Sequence, residues 1–168
     1  TNYDLPFFFF FYKNVRVIHN PCSFRPIQNV HIKREKLLLV VGNINRYKIK
    51  GFDKLLEVAA KVLPEHPIWK LKIVGGGKEG ILTLKKIAED LKIIDQVIFT
   101  DFRSDVHALM QQAEIFVLSS QFEGLPMALL EAMTQEMVCV SYDCISGPSE
   151  IITNNINGIL VKNQDQEE

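Results

Sequence analysis

Apolar runs of three to five residues recur along the chain, separated by segments whose apolar positions follow helical spacing. Leu37–Val41, Leu71–Val74, Val97–Phe99, Ile115–Leu118, Val138–Tyr142 and Ile159–Val161 read as strands. Between them, Phe52–Leu63 (FDKLLEVAAKVL) carries apolar residues at helical intervals and stops before Pro64. Ile81–Leu91, Val106–Ala113, Met127–Met133 and a turn around Glu150–Thr153 read as further helical pieces. Strands that are apolar throughout and alternate with helices indicate a parallel sheet covered on both faces. The expectation is a doubly wound, Rossmann-like α/β domain over about Lys36–Lys162. Ligands of such sheets bind beyond the carboxyl ends of the strands, at the switch in strand order. Upstream, Val15–Ile18 reads as a short strand closed by His19-Asn20-Pro21, and Cys22–Arg34 as a linker without period.

Composition narrows the class. At 168 residues the chain is expected to be one domain, or one domain with a remnant; it opens on Thr1, as a fragment or processed product would. A hydrophobic content of 47% with 23% charged residues fits a globular protein and not a disordered one. The net charge of −1 gives no support for a nucleic-acid partner. Cys22, Cys139 and Cys144 form no CxxC, so neither a disulfide framework nor a zinc site is expected, and a reducing compartment is. Cys139, in an apolar run, reads as a small buried residue. The run Leu5–Tyr12 (LPFFFFFY) is too short for the roughly 20 residues of a membrane span and lacks the marks of a signal peptide. It is expected to pack against another part of the protein.

The stretch Ser119–Gln135 (SSQFEGLPMALLEAMTQ) carries the chemistry. A strand feeds into it, Gly124 offers freedom in φ, and Pro126 suits the first position of a helix. Met127–Met133 is apolar nearly all round, which predicts burial against the sheet, yet it contains Glu131. Glu123 stands in the turn, at the positive end of the helix. Free backbone N–H groups for an anion, flanked by two carboxylates that accept from hydroxyls, would suit a nucleotide sugar. A capping role for Glu123 and a rim role for Glu131 remains the alternative at this point.

The remaining motifs are weaker. Gly75-Gly76-Gly77-Lys78-Glu79-Gly80 satisfies G-x-G-x-x-G and nominates an NAD- or FAD-binding oxidoreductase, but it follows the second strand, and a tight turn near some ligand is preferred. Arg46, Lys48 and Lys50 follow the first strand without a P-loop pattern, as cations for a diphosphate or as a solvated basic loop. His19, His31, His66 and His107 have no ligand spacing, and no Asp-x-Asp offers a divalent-metal clamp. Ser119-Ser120 lies in no G-x-S-x-G elbow, which argues against an α/β-hydrolase.

Taken together, VIHNP (17–21), VGN with KGFDKLLEVA (41–43, 50–59), LKIVGGG (71–77), VIFTDF (97–102), SSQFEGLPMALLEAM (119–133), GPSEII (147–152) and NGILV (157–161) resemble the C-terminal, donor-binding domain of a GT-B glycosyltransferase of retaining family 4. The E-x7-E pair within EGLPMALLE is the specific part. The resemblance implies a remnant of an N-terminal domain and linker over 1–35 and a nucleotide-sugar-binding domain over 36–168. It implies catalytic roles for Glu123, beside the transferred sugar, and for Lys50 and Arg46 at the diphosphate. Donor binding would fall to Asn43, Lys48, Arg103, Asp105, Gly124, Leu125, Pro126, Met127 and Glu131, with Glu131 on the ribose hydroxyls and the loop around Arg103–Asp105 against the base. Glu131 and Lys50 would then face one shared cavity.

Three positions depart from the family pattern. Asn43 stands where a diphosphate arginine usually follows the first strand, so Arg46 or Lys48 must supply that charge. Asp101 replaces a common glycine, and Gln135-Glu136-Met137 a glycine-containing turn. The implied reaction is retaining, metal-independent transfer from a nucleotide-diphosphate sugar, most commonly a UDP-sugar, to a saccharide or lipid-linked acceptor held by a missing N-terminal domain. No cofactor is implied. The implied setting is polysaccharide assembly in the cytoplasm, at the inner membrane face, with peripheral membrane association of the full-length enzyme. A dinucleotide-dependent oxidoreductase and a non-catalytic nucleotide-binding domain are the two alternatives carried forward.

Overall fold

The computed structural model describes residues 32–162 continuously, together with 20–28, 16–18 and positions 6 and 14. The phenylalanine run apart from Pro6, as well as Val15, His19, His31 and 163–168, lies outside the described residues. The strands are β1 (Glu35–Val41), β2 (Lys70–Val74), β3 (Val97–Thr100), β4 (Ala113–Leu118), β5 (Val138–Asp143) and β6 (Ile159–Lys162). They form one parallel sheet in the order β3-β2-β1-β4-β5-β6. The helices are α1 (Phe52–Val62), α2 (Lys78–Asp90), α3 (Val106–Gln112), α4 (Met127–Thr134) and α5 (Pro148–Ile151).

Side-chain alternation along the strands explains the two cores. Leu37 and Leu39 of β1, with Val74, Phe116 and Leu118, bury against Leu109 and Met110 of α3 and Leu129 and Ala132 of α4. Val40, Leu71, Ile73 and Val97 point the other way, onto Leu55, Leu56 and Ala59 of α1 and Leu84 and Ala88 of α2. Both faces are therefore apolar, as the unbroken runs require. The strand order turns at β1, so the crevice between the carboxyl ends of β1 and β4 is the switch point.

Several expectations need correction. Arg16–Ile18 belong to no strand, and Ile18 is 91% exposed; a strand without a neighbour leaves its N–H and C=O groups unpaired and is not stable alone. The helix expected from Ile81 begins at Lys78 because a side chain from another loop caps it, as shown below. Ala113 opens β4 and does not close α3, and the last helical turn is Pro148–Ile151. Buried Cys139 carries a thiol pushed up to about 12 by desolvation, and Cys144 one raised to about 11, chiefly by burial.

The described parts of the segment read as a linker, residues 22–28 and 32–34, are irregular but attached to the domain. Arg34 donates from Nη1 to the carbonyls of Met110 and Ala113 (3.1 and 2.7 Å) and from Nη2 to that of Gln135 (2.5 Å). Gln135, fully buried, donates to the Arg25 carbonyl at 2.9 Å, and the Ile27 amide donates to the Thr134 carbonyl at 3.0 Å. The unusual Gln135 thus anchors this segment at Arg25 and at Arg34. Phe24 meets His107 of α3 edge-on, with ring centroids 5.2 Å apart.

Candidate functional site

Two loops meet across the switch point: residues 42–51 after β1, and residues 119–126 after β4. Their junction depends on Gly51, whose φ of 66° is left-handed and whose Cβ, if present, would stand 1.9 Å from the Ser119 carbonyl oxygen. Ser119 donates its hydroxyl to the Lys50 carbonyl at 2.9 Å, and the Gln121 amide donates to the Ile49 carbonyl at 2.9 Å. This lacing brings together two residues 73 positions apart in sequence. Lys50 Nζ donates to Glu123 Oε1 at 2.7 Å, with the two side chains only 21% and 11% exposed. Ser120, 1% exposed, donates to the same Oε1 at 2.6 Å. Low exposure strengthens such charge-assisted bonds relative to water.

Glu123 therefore does not cap α4, whose amino end takes no side-chain cap among the described residues. Pro126 is the residue before the first helical turn and not within it, with its carbonyl accepting from Leu129 and Leu130. Among the described residues, no hydrogen bond uses the amides of Gly124, Leu125, Met127 or Ala128. Gly124 also departs from expectation: its φ is not positive, and a Cβ there would meet nothing within 4 Å. The space beside it is open. Strain sits instead at Gly147, with φ 97° and Gly124 O only 2.2 Å from where its Cβ would be. The helix is less buried than its composition implied, with Leu129 and Ala132 fully enclosed and its other side chains half-exposed.

The glycine run of the β2–α2 turn has a structural use. The Cβ of an alanine at Gly75 would lie 1.7 Å from the Gly42 carbonyl, at Gly77 2.5 Å from the Asn45 amide, and at Gly80 2.2 Å from the Ile44 carbonyl. These glycines let the β1 loop approach, and that loop closes the amino end of α2: Asn45 Oδ1 accepts the Gly80 N–H at 3.0 Å. The Ile44 amide donates to Gly76 O at 2.9 Å. Asn45, Gly75, Gly76 and Gly77 also line the neighbouring cleft.

Beside this turn lies a cleft of about 470 Å³ over the ends of β1 and β2. Val41, Gly42, Asn43, Val74, Phe102, Arg103 and Val106 are among its walls. Its size is within the usual range for small-molecule sites. Arg103 engages Asp105 through Nε and Nη2 at 2.7 and 2.5 Å, which lowers the Asp105 pKa and raises that of Arg103. Asn43 spends its side-chain oxygen on the Asn45 amide at 3.0 Å.

Arg46 and Lys48 are exposed and make no ion pair among the described residues. Glu131, half-buried on α4, has its pKa raised by desolvation, opposed by the Ser23 hydroxyl at 3.4 Å. A second cleft, of about 720 Å³, is lined by Cys22, Leu125, Leu130 and Met133 among others. Neither Lys50 nor Glu131 is among the residues lining these two clefts. Lys50 is instead drawn to Glu123, and Glu131 to the segment carrying Ser23. Among the described residues no three His, Cys, Asp or Glu side chains converge as metal ligands, and no helix is long and apolar enough to cross a membrane.

Sequence reasoning missed Ser119, Ser120 and Asn45 as organisers of the site. The spacing Ser120-x-x-Glu123 was the available signal for one of them.

The family described as "Glycosyl transferases group 1" matches residues 24–168. An uncharacterised glycosyltransferase of Haemophilus influenzae is 36% identical over 155 residues, covering 92% of this chain and 43% of that protein. The lipopolysaccharide 1,6-galactosyltransferase of Salmonella typhimurium is 31% identical over 154 residues, covering 88% of this chain and 42% of its own length. Staphylococcus aureus TarM, solved with UDP, fondaparinux and α-GlcNAc-glycerol, superposes with a TM-score of 0.76 at 26% identity, over 88% of this chain and 29% of that one. The chain thus spans less than half the length of these proteins.

Proposed function

The chain belongs to the glycosyl transferases group 1 family and has the Rossmann-like fold of the C-terminal part of GT-B enzymes, and on that premise we propose that it binds the nucleotide-diphosphate sugar from which a longer enzyme transfers a glycosyl group. The Lys50–Glu123 pair at the switch point, beside the uncapped amino end of α4, is the observation that carries this reading.

The chemistry proceeds from these groups. Breaking the sugar–phosphate bond leaves negative charge on the departing diphosphate. The free amides of Gly124, Leu125, Met127 and Ala128 and the positive end of α4 meet that charge, and the open face of Gly124 admits the phosphate closely. Lys50 supplies a cation with donors left over beyond the one given to Glu123. Arg46, exposed and unpaired, takes the place of the arginine missing at Asn43, with Lys48 as the second candidate. Donors preorganised in this way are worth about 3–4 kcal/mol each in the transition state. No divalent ion is assigned a role, the transfer is assigned as retaining, and Glu123 is assigned to the transferred sugar.

The cleft lined by Val41, Phe102, Arg103 and Val106 takes the base. Uridine is the base assigned, supported by the UDP bound to TarM. Glu131 takes the ribose hydroxyls, in place of its long contact with Ser23. The acceptor is a saccharide or lipid-linked saccharide, supported by the lipopolysaccharide galactosyltransferase relative. It is assigned to the part of the longer enzyme that this chain does not span, with assembly at the inner membrane face.

A thermal-shift panel of UDP, GDP, ADP and NAD tests the reading, since a ligand specific for the folded state raises the melting temperature by mass action. UDP is expected to raise it, and NAD is not. A shift with NAD alone overturns the proposal.

A further inference from the structure

Glu123 spends its two carboxylate oxygens unequally. Oε1 accepts from both Ser120 Oγ at 2.6 Å and Lys50 Nζ at 2.7 Å. Oε2 accepts from nothing among the described residues. Every buried side-chain nitrogen or oxygen there has a partner, so the unpartnered Oε2 reaches the surface. A carboxylate facing a single ammonium would turn to share both oxygens with it. A hydroxyl fixed on the same oxygen opposes that turn.

We propose that Ser120 is a positioning residue of the donor site: its hydroxyl locks the Glu123 carboxylate so that Oε1 holds Lys50 while Oε2 stays open to a sugar hydroxyl. The inference rests on the donor-binding reading above. Ser120 suits the role physically. It is 1% exposed two residues past the end of β4, has one short side-chain torsion, and lies three residues before its partner. Lysine, with four rotatable bonds, brings charge but little orientation. Ser119 anchors the other half of the pair, holding the Lys50 backbone through its carbonyl at 2.9 Å. The two serines thus fix the acid and the base from one buried stretch just past β4.

Losing the Ser120 hydroxyl frees the carboxylate to chelate Lys50 with both oxygens, which removes the open acceptor. The diphosphate contacts at the amino end of α4 do not pass through Ser120. The sugar therefore suffers most, and the nucleotide, whose diphosphate also meets Lys50, loses less.

Calorimetry on the whole chain tests this with UDP and with whichever of UDP-galactose, UDP-glucose and UDP-N-acetylglucosamine binds best. Ser120→Ala is expected to leave UDP affinity within about twofold while weakening the UDP-sugar about tenfold or more, the scale of a lost hydrogen bond to a charged group. Ser120→Thr, which keeps the hydroxyl, restores the wild-type ratio. Equal weakening of both ligands, or of neither, overturns the positioning role and leaves the donor-binding reading standing. A wild-type chain without affinity for UDP overturns that reading and this inference with it. Where Ser120→Ala does not fold, Ser120→Cys, similar in size with a weak donor, carries the same comparison.

Discussion

Asn45 closes the amino end of α2 from outside the helix, its Oδ1 accepting the Gly80 N–H at 3.0 Å. One bond thereby caps a helix and holds the β1 loop against the glycine run. Gly75, Gly77 and Gly80 of the G-x-G-x-x-G match let the two loops pack closely.

Asn45→Ala is accordingly expected to destabilise the fold by about 1 kcal/mol, the usual worth of such a cap, or about 2–4 °C in melting temperature at this size. Gly80→Ala costs more, because its Cβ meets a backbone carbonyl at 2.2 Å, which does not move aside easily. Melting curves of the two variants decide the ranking, and a Gly80→Ala protein as stable as wild type contradicts it.

Gly124 and Gly147 meet from two separate loops, after β4 and after β5, and predict opposite outcomes. Gly124→Ala leaves stability near wild type, since nothing lies within 4 Å of the added methyl, yet it weakens UDP binding by blocking the phosphate. Gly147→Ala lowers the melting temperature, since φ 97° and a carbonyl at 2.2 Å oppose any side chain. Paired melting and binding measurements separate the two effects. Unimpaired UDP binding in Gly124→Ala places the phosphate elsewhere.

Lys50→Ala removes a donor aimed at the departing diphosphate. In an enzyme carrying an acceptor-binding half, transfer is expected to fall by about 10²–10³-fold. Steady-state turnover is the measurement, and a near-normal rate takes Lys50 out of the mechanism.

Glu131 links stability to pH. Desolvation raises its carboxyl pKa in the fold, so the folded state binds the proton more readily than the unfolded chain. Stability then falls as pH rises through the window from the ordinary carboxylate range up to the raised value, and the penalty is gone below that window. Glu131→Gln lacks the penalty, so its melting temperature at neutral pH is expected to match or exceed wild type, with the gap narrowing in acid. Its UDP affinity is expected to drop, because a neutral amide is a poorer acceptor for two ribose hydroxyls. Calorimetry showing unchanged affinity makes Glu131 structural.

The sequence by itself determined the sheet. Runs such as Leu37–Val41 and Ile115–Leu118 are apolar on both faces and can only be covered on both sides, and the spacing of Phe52, Leu55, Leu56 and Ala59 prescribes the helix that covers one of those faces. The stretch holding Glu123 and Glu131 was also legible, because a turn and an apolar helix leave their charged residues conspicuous. Tertiary structure alone decided which groups meet. Lys50 and Glu123 are 73 positions apart, and Asn45 and Gly80 are 35 apart. Local periodicity carries no term for such distances. They are set by where the parallel strands place their loops, by glycines that admit a neighbouring backbone, and by buried hydroxyls that need a partner.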